Sequence, residues 1–425
     1  MTITHLVGAT AVILVVANGA GLLARKLGQP SIIGQLVAGI ALGPSLLSQF
    51  PPVVGETLFP SAIAPMLTGL SQVSLVFFLY FVGYELDLGL LRGRSRTTLT
   101  VAVAAFLVPM AVGAGAALLF HGTLQKLGVP RDLSMSSLLF LAVSLSITAV
   151  PVLVVMVREN GLAGTVPGVI AVSAAGLIDV VGWVVLVGAL MESGGESGMS
   201  LPVRLGLLLV TVVVMVWPVR LLLRRLMRSP SLSSGPRLAV LIGFAFAAAW
   251  ATSALGLHVI FGALLAGVVT PREPDGTLNP ELVRTLDSIG SLLLPFFFVV
   301  SGRGVSVGAL DGTAVAVLVG VTVLAVVAKV GSGALAARAC RLDNRTSLTI
   351  GVLLSTRGLT ELIALNAGFQ AGLLSGPLYT VFVLMAIATT LLTQPLLVLV
   401  RRIRPAATGR QTTAEAVSVV SSADR

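Results

Sequence analysis

The chain has 425 residues, 56% of them hydrophobic and only 10% charged, with a formal net charge of +10. A mean hydropathy of +1.03 lies far above that of soluble globular domains and excludes a water-soluble enzyme; the composition is that of a polytopic membrane protein. The positive excess is then a matter of topology, and no nucleic-acid partner is expected.

Taken in chain order, apolar segments separated by charged or Pro/Gly-rich turns fall at 4–24, 30–48, 65–90, 97–120, 133–157, 164–190, 201–226, 236–255, 258–270, 284–302, 311–338, 346–370 and 376–400. About 20 apolar residues cross a bilayer core of ~30 Å, so these segments predict an all-α protein of thirteen spans. The second and ninth are short and interrupted by glycine and proline. The first has no basic leader and no small-residue cleavage pattern before Arg25, which makes it a span and not a removable signal. The lone cysteine, Cys340, excludes an internal disulfide and has no metal-site spacing. The 46 glycines suit helices that approach closely in lipid.

Basic residues set the orientation. Arg25, Lys26, Arg92, Arg94, Arg96, Arg158, Arg220, Arg224, Arg225, Arg228, Arg237, Arg272, Arg284, Arg338, Arg341 and Arg345 fall on one side, with the C-terminal arginines. Lys126, Arg131, Arg204 and Arg303 fall on the other. This asymmetry predicts a cytoplasmic (inner) membrane protein with its N-terminus outside and its C-terminus cytoplasmic. The polar tail over 405–425 is expected to be disordered, with no regulatory domain following it.

The sequence repeats itself. IIGQLVAGIALGP (32–44) aligns with IFGALLAGVVTP (260–271), pairing Gly34 with Gly262 and Gly39 with Gly267, and the stretch from Ser74 parallels the one from Ser291. A first unit over 1–190 (spans one to six), a connecting span at 201–226 and a second unit over 236–400 follow, with the second copy inverted in the membrane. Inverted repeats with broken helices at matching positions are the mark of secondary transporters.

The break positions are visible. In the fifth span Pro151 removes a backbone donor, freeing carbonyls near Ser146 and Ile147, and Thr148 can supply a hydroxyl there. In its repeat mate, the twelfth, Arg357, Gly358 and Glu361 fall at mid-membrane, with Gly358 free to unwind. Two breaks meeting at the midplane would expose carbonyls and helix ends near Asp179.

Four charges lie deep: Asp179, Lys329, Arg357 and Glu361. Arg357 and Glu361 are four residues apart and are expected to form a structural ion pair. Asp179 and Lys329 then remain as the reactive couple. Desolvation favours a protonated carboxyl and a nearby ammonium favours the charged one, so Asp179 can hold a proton or a monovalent cation such as Na+ or K+, but not both. Competition at one carboxylate exposed alternately to each side couples two fluxes.

These residues resemble a known family, the monovalent cation/proton antiporter superfamily, in its second, bacterial and plant branch. The matching stretches include PSIIGQLVAGIALGPSLL, FLYFVGYELDLGLLR, SLSITAVPVLVVMVRENGLAGTVPG, AAGLIDVVGWVVL, GLHVIFGALLAGVVTPRE, LLLPFFFVVSG and GVLLSTRGLTELIALNAG followed by MAIATTLLTQPLL, in the family's order. The resemblance implies thirteen helices, a core with two crossed broken helices, a dimerisation domain, hence a homodimer, and an elevator-like movement. It also implies that Asp179 is the ion-binding acid, Thr148 (with Ser146 nearby) the polar group at the first crossing, Lys329 the core lysine, and Arg357, Gly358 and Glu361 the second crossing. No cofactor is expected.

Three positions depart from the family's pattern. Ile178 stands where an acid or asparagine commonly precedes the aspartate, Gln35 where a glutamate is frequent, and Arg303 follows Ser301 and Gly302 where the pattern is SGL. Without an acid at 178, Lys329 is expected to turn onto Asp179, and exchange of one proton per cation is expected. The alternative that these losses suggest is a transport-inactive antiporter fold that binds or chemically transforms a hydrophobic small molecule; a structural or sensory subunit is a third reading.

Overall fold

A computed structural model of the chain describes residues 2–43, 45, 55, 57–85, 96–131, 133–192, 201–227, 234–255, 259–273 and 277–402. Arg92, Arg94, Arg228 and the expected disordered tail lie outside the described residues. Among the described residues all regular structure is helical.

In chain order the helices are α1 (Thr2–Lys26), α2 (Ser31–Ala41), α3 (Ala64–Glu85), α4 (Arg96–Leu119), the short α5 (His121–Lys126), α6 (Met135–Ser144), α7 (Val150–Glu159), α8 (Val166–Glu192), α9 (Leu201–Val214) and α10 (Arg220–Met227). The second half continues with α11 (Ser234–Ala254), α12 (Val259–Val269), α13 (Pro280–Arg303), α14 (Gly312–Ala339), α15 (Asn344–Leu354), α16 (Leu359–Gln370) and α17 (Gly376–Arg402). Counting α15 and α16 as one interrupted element, ten of these stretches are long and apolar enough to cross a membrane, while α2, α6 and α12 are shorter apolar helices. Helix occupies every predicted segment, and the three short ones are the second, the fifth and the ninth.

Side-chain caps start several helices where the sequence supplies a short acceptor. The Ser134 hydroxyl accepts from the Ser137 N–H, Asn279 Oδ1 from Leu282, Asp311 Oδ1 from Ala314 and Asp343 Oδ2 from Thr346. Each satisfies one of the N–H groups that a helix start leaves without a partner.

The helices gather into two bundles. In the first, here the scaffold, α3 lies along α12 and α13, α2 along α1 and α13, and α11 along α12. In the second, the core, α14 packs on α4, α15 and α17, α8 packs on α4, α6 and α15, and α16 closes against α6, α7 and α17. Between α9 and α10 a π-helical turn, Met215–Val219, carries Pro218, whose ring and missing N–H disfavour regular α-helix there. That turn leans on α12, while α9 touches α8.

Candidate functional site

The interruption of the fifth span separates α6, ending at Ser144, from α7, starting at Val150, with residues 147–149 outside any helix and Ala149 extended. Pro151 sits in the first turn of α7, where an N–H would be unused in any case. Its missing donor is the one that the Ile147 carbonyl would have needed. The second interruption separates α15 from α16 at residues 355–358. The two gaps lie against each other: the Ala149 N–H donates to the Thr356 carbonyl at 3.1 Å, and the Thr148 hydroxyl donates to the Leu354 carbonyl at 3.0 Å.

Gly358 does not serve by unusual backbone freedom, because its φ of 162° with ψ of −132° is extended chain. A Cβ there would come within 2.6 Å of Val152 Cγ2. The glycine is needed for close approach of the two gaps.

Each broken helix exposes a polar end. The carboxyl end of α6 is a negative pole with unpaired carbonyls, and two cations take them. Arg357 Nη1 donates to the Ser144 carbonyl at 2.5 Å and Nη2 to that of Leu145 at 2.6 Å. Lys329 Nζ donates to the Ala105 carbonyl at 2.9 Å and to that of Ser146. Arg357 Nη1 also lies 2.5 Å from Glu361 Oε1, the ion pair expected from their spacing. Glu361 stands in the first turn of α16, near that helix's positive pole.

Asp179 lies on α8, the helix that packs on α6, α7 and α15, and it is 2% exposed. Its Oδ2 is enclosed and accepts no hydrogen bond. Lys329 does not turn onto it as expected. The Ser146 carbonyl lies in the gap between α6 and α7, and Pro109 inside α4 removes the usual donor to the Ala105 carbonyl; an ammonium with three donors satisfies both well. Ser146 and Thr148 do lie at the crossing, but their hydroxyl protons are committed to the carbonyls of Phe106 and Leu354, leaving lone pairs as what they offer an ion. Oxygen donors of this kind suit a hard monovalent cation.

The departures from the family's pattern fall in different places. Ile178 is buried beside Asp179 at 1% exposure. Gln35 is on the scaffold helix α2, with its Cγ beside Gly21 of α1. The Arg303 guanidinium stacks 5.1 Å from the centroid of the Phe59 ring. Only the first of these bears on Asp179.

Sequence reasoning missed the carbonyls of Ala105 and Phe106 in α4, although Pro109, four residues after Ala105, was the same kind of signal as Pro151. It also gave no role to Thr390, whose hydroxyl accepts from the Arg357 N–H at 3.1 Å and lies 2.6 Å from the Arg357 carbonyl. The threonines in MAIATTLLTQ were the available signal.

Comparison with known proteins bears on the family and the fold. The family described as sodium/hydrogen exchanger, transmembrane, matches residues 11–399. The Na(+)/H(+) antiporter NhaS4 of Synechocystis sp. is 32% identical over 394 residues, covering 91% of this chain and 95% of that protein. The K(+)/H(+) antiporter 1 of Saccharomyces cerevisiae is 31% identical, covering 88% of this chain but only 43% of its own length. Among solved structures, the sodium proton antiporter MjNhaP1 from Methanocaldococcus jannaschii superposes with a TM-score of 0.66 at 15% identity over 95% of this chain, a likeness of fold.

Proposed function

Because the chain belongs to the sodium/hydrogen exchanger family of membrane transporters, we propose that it exchanges a monovalent cation, Na+ or K+, for a proton at Asp179. One observation carries this reading: a carboxylate buried to 2% exposure, with an enclosed oxygen that no protein group satisfies, set against two crossed helix breaks. Such a group is costly inside a membrane and is retained for a ligand. The four deep charges divide the work. Arg357, Glu361 and Lys329 neutralise the helix poles and keep the crossing intact, while Asp179 is left to its ligands.

Exchange requires only that proton and cation exclude each other at Asp179 and that the site face each side in turn. With Lys329 held by carbonyls, Ile178 apolar and Glu361 paired with Arg357, Asp179 is, among the buried carboxylates of the described residues, the one without an ion-pair partner, which supports one proton per cation. The two-bundle architecture supports an elevator-like movement of core against scaffold. An inverted repeat is supported by packing as well as by sequence: a Cβ at Gly34 would meet the Ala20 carbonyl, and one at the matching Gly262 would meet that of Ala248, the same number of residues upstream. Thirteen crossings, an inner-membrane location, an outside N-terminus and a homodimer complete the reading, supported by the charge asymmetry and the family. A transport-inactive fold that binds or transforms a hydrophobic molecule has no support from the relatives, which are named as exchangers.

The test is cation-driven proton flux in proteoliposomes followed with a pH-sensitive dye. Wild-type protein is expected to respond to Na+ or K+, and Asp179→Asn to fall to the level of empty vesicles. Flux that survives Asp179→Asn would overturn the assignment.

A further inference from the structure

Beside Asp179 the wall of the site carries a polar group that has no task in the exchange just described. Trp183 follows Asp179 by four residues on α8, which places both on one face. Helical side chains lean toward the N-terminus, so the Trp183 ring covers the turn that bears Asp179. Trp183 is 6% exposed. Its ring meets Phe261 of α12 edge-on, with centroids 6.3 Å apart and planes at 85°, so it stands at the seam between core and scaffold.

Its Nε1 is enclosed and has no hydrogen-bond partner, and the same holds for Asp179 Oδ2. A buried donor left unpaired costs about 1–3 kcal/mol, and packing on Phe261 asks only for an aromatic ring, which phenylalanine also provides. What the indole adds is the N–H. An unmatched donor and an unmatched acceptor one turn apart are the two partners that a bridging water needs. Nothing else holds the carboxylate: Lys329 is bound to carbonyls, and the Ser146 and Thr148 hydroxyls donate elsewhere. Rotation about a terminal carboxylate bond is soft, so an unheld Asp179 would present its oxygens indifferently.

We propose that Trp183 is a positioning residue for exchange: its indole N–H donates to a water that in turn donates to Asp179 Oδ2, turning the other oxygen, Oδ1, toward the cation or the proton. The assignment rests on Asp179 being the exchanging group. Trp183 touches neither substrate; it acts by orienting the group that does, as hydrogen-bonded neighbours orient the ligands of metal sites.

The experiment isolates the N–H. Trp217 and Trp250 are 78% and 73% exposed, so Trp217→Phe and Trp250→Phe together leave Trp183 as the single tryptophan. Replacing it with the benzothienyl analogue, in which sulfur stands for N–H, keeps shape and removes only the donor; Trp183→Phe is the genetic counterpart. At fixed pH, Na+- and K+-driven flux is expected to show KM raised about threefold to tenfold with maximal rate nearly unchanged, as loss of one neutral hydrogen bond implies. Ultraviolet resonance Raman of the single-tryptophan protein is expected to show a hydrogen-bonded indole N–H. Unchanged KM for the benzothienyl protein, or the band of an unbonded indole, would overturn the proposal. Neither result bears on Asp179, whose own substitution tests the exchange site separately.

Discussion

The core and the scaffold pack helices in a setting where lipid removes the hydrophobic drive between them, and they do so by different means. All four buried charges among the described residues, Asp179, Lys329, Arg357 and Glu361, are in the core. Its centre is held by guanidinium and ammonium groups clasping carbonyls at a helix break and in α4. The scaffold buries hydroxyls but no charge; its helices meet backbone to backbone, as α14 and α15 of the core also do at Gly351, whose Cβ would fall 2.4 Å from the Val330 carbonyl. A Cβ at Gly39 of α2 would fall on the Phe298 carbonyl of α13, and one at Gly267 of α12 on that of Tyr80 in α3. The difference teaches which bundle carries function: charged groups are tolerated in membranes where they satisfy one another or serve a ligand, and among the described residues only the core buries them.

Breaking the core at its strongest point should have the largest effect. Arg357→Met leaves Glu361 charged and unpaired and the Ser144 and Leu145 carbonyls bare, and a buried pair broken from one side costs about 3–5 kcal/mol. Thermal unfolding in detergent is expected to show that loss, and Arg357→Met with Glu361→Gln together should recover part of it. A stability equal to wild type for the single variant would mean that the crossing is not held by this pair.

The scaffold is broken by volume and not by charge. Gly39→Ala and Gly267→Ala each force backbones apart, with an expected loss of about 1–3 kcal/mol. The two should behave alike, since the positions match in the repeat. Apparent cation KM should stay constant in both, because neither residue lies at the crossing; a changed KM would blur the division between bundles.

The smallest effect is expected at the edge of the core. Asp343 caps α15, accepting from the Thr346 N–H at 3.0 Å. Partial burial alone would raise its carboxyl above the usual range, but hydrogen bonds from the Thr346 side chain and from the Thr346 and Arg345 backbone outweigh it and hold it lower. A depressed value in the folded state means that the cap stabilises above the unfolded carboxyl's titration and loses that contribution as pH falls through the folded one. Asp343→Ala should cost about 1 kcal/mol at neutral pH and nothing once the pH is below both titrations. A difference from wild type that persists in acid would show that the side chain acts through packing instead.

Much of this molecule was legible in the chain itself. Periodicity and length placed helix in every predicted segment, because a bilayer demands apolar runs of a set length whatever the fold. Pro151 and the group Arg357, Gly358 and Glu361 marked both breaks, since a missing N–H acts locally. The spacing of Arg357 and Glu361 announced their pairing for the same reason. The partners of Lys329 were only half legible. An ammonium donates to any oxygen within reach: the Ser146 carbonyl was marked as freed by the break, but that Lys329 would take it together with the Ala105 carbonyl of α4 depends on distance. Gly358 was read as free to unwind and stands at the break; its contact was not legible, because the atom it meets, Val152 Cγ2, belongs to the other interruption.

The sequence by itself determined the class of the protein, the positions of its helices and breaks, and the identity of its deep charges, because each follows from local chemistry or from the cost of charge in lipid. Tertiary structure decided which charge remained free. Spacing alone pairs Arg357 with Glu361, but where Lys329 turns is set by distance across the crossed breaks, which binds it to carbonyls and leaves an Asp179 oxygen enclosed with the Trp183 N–H one turn away.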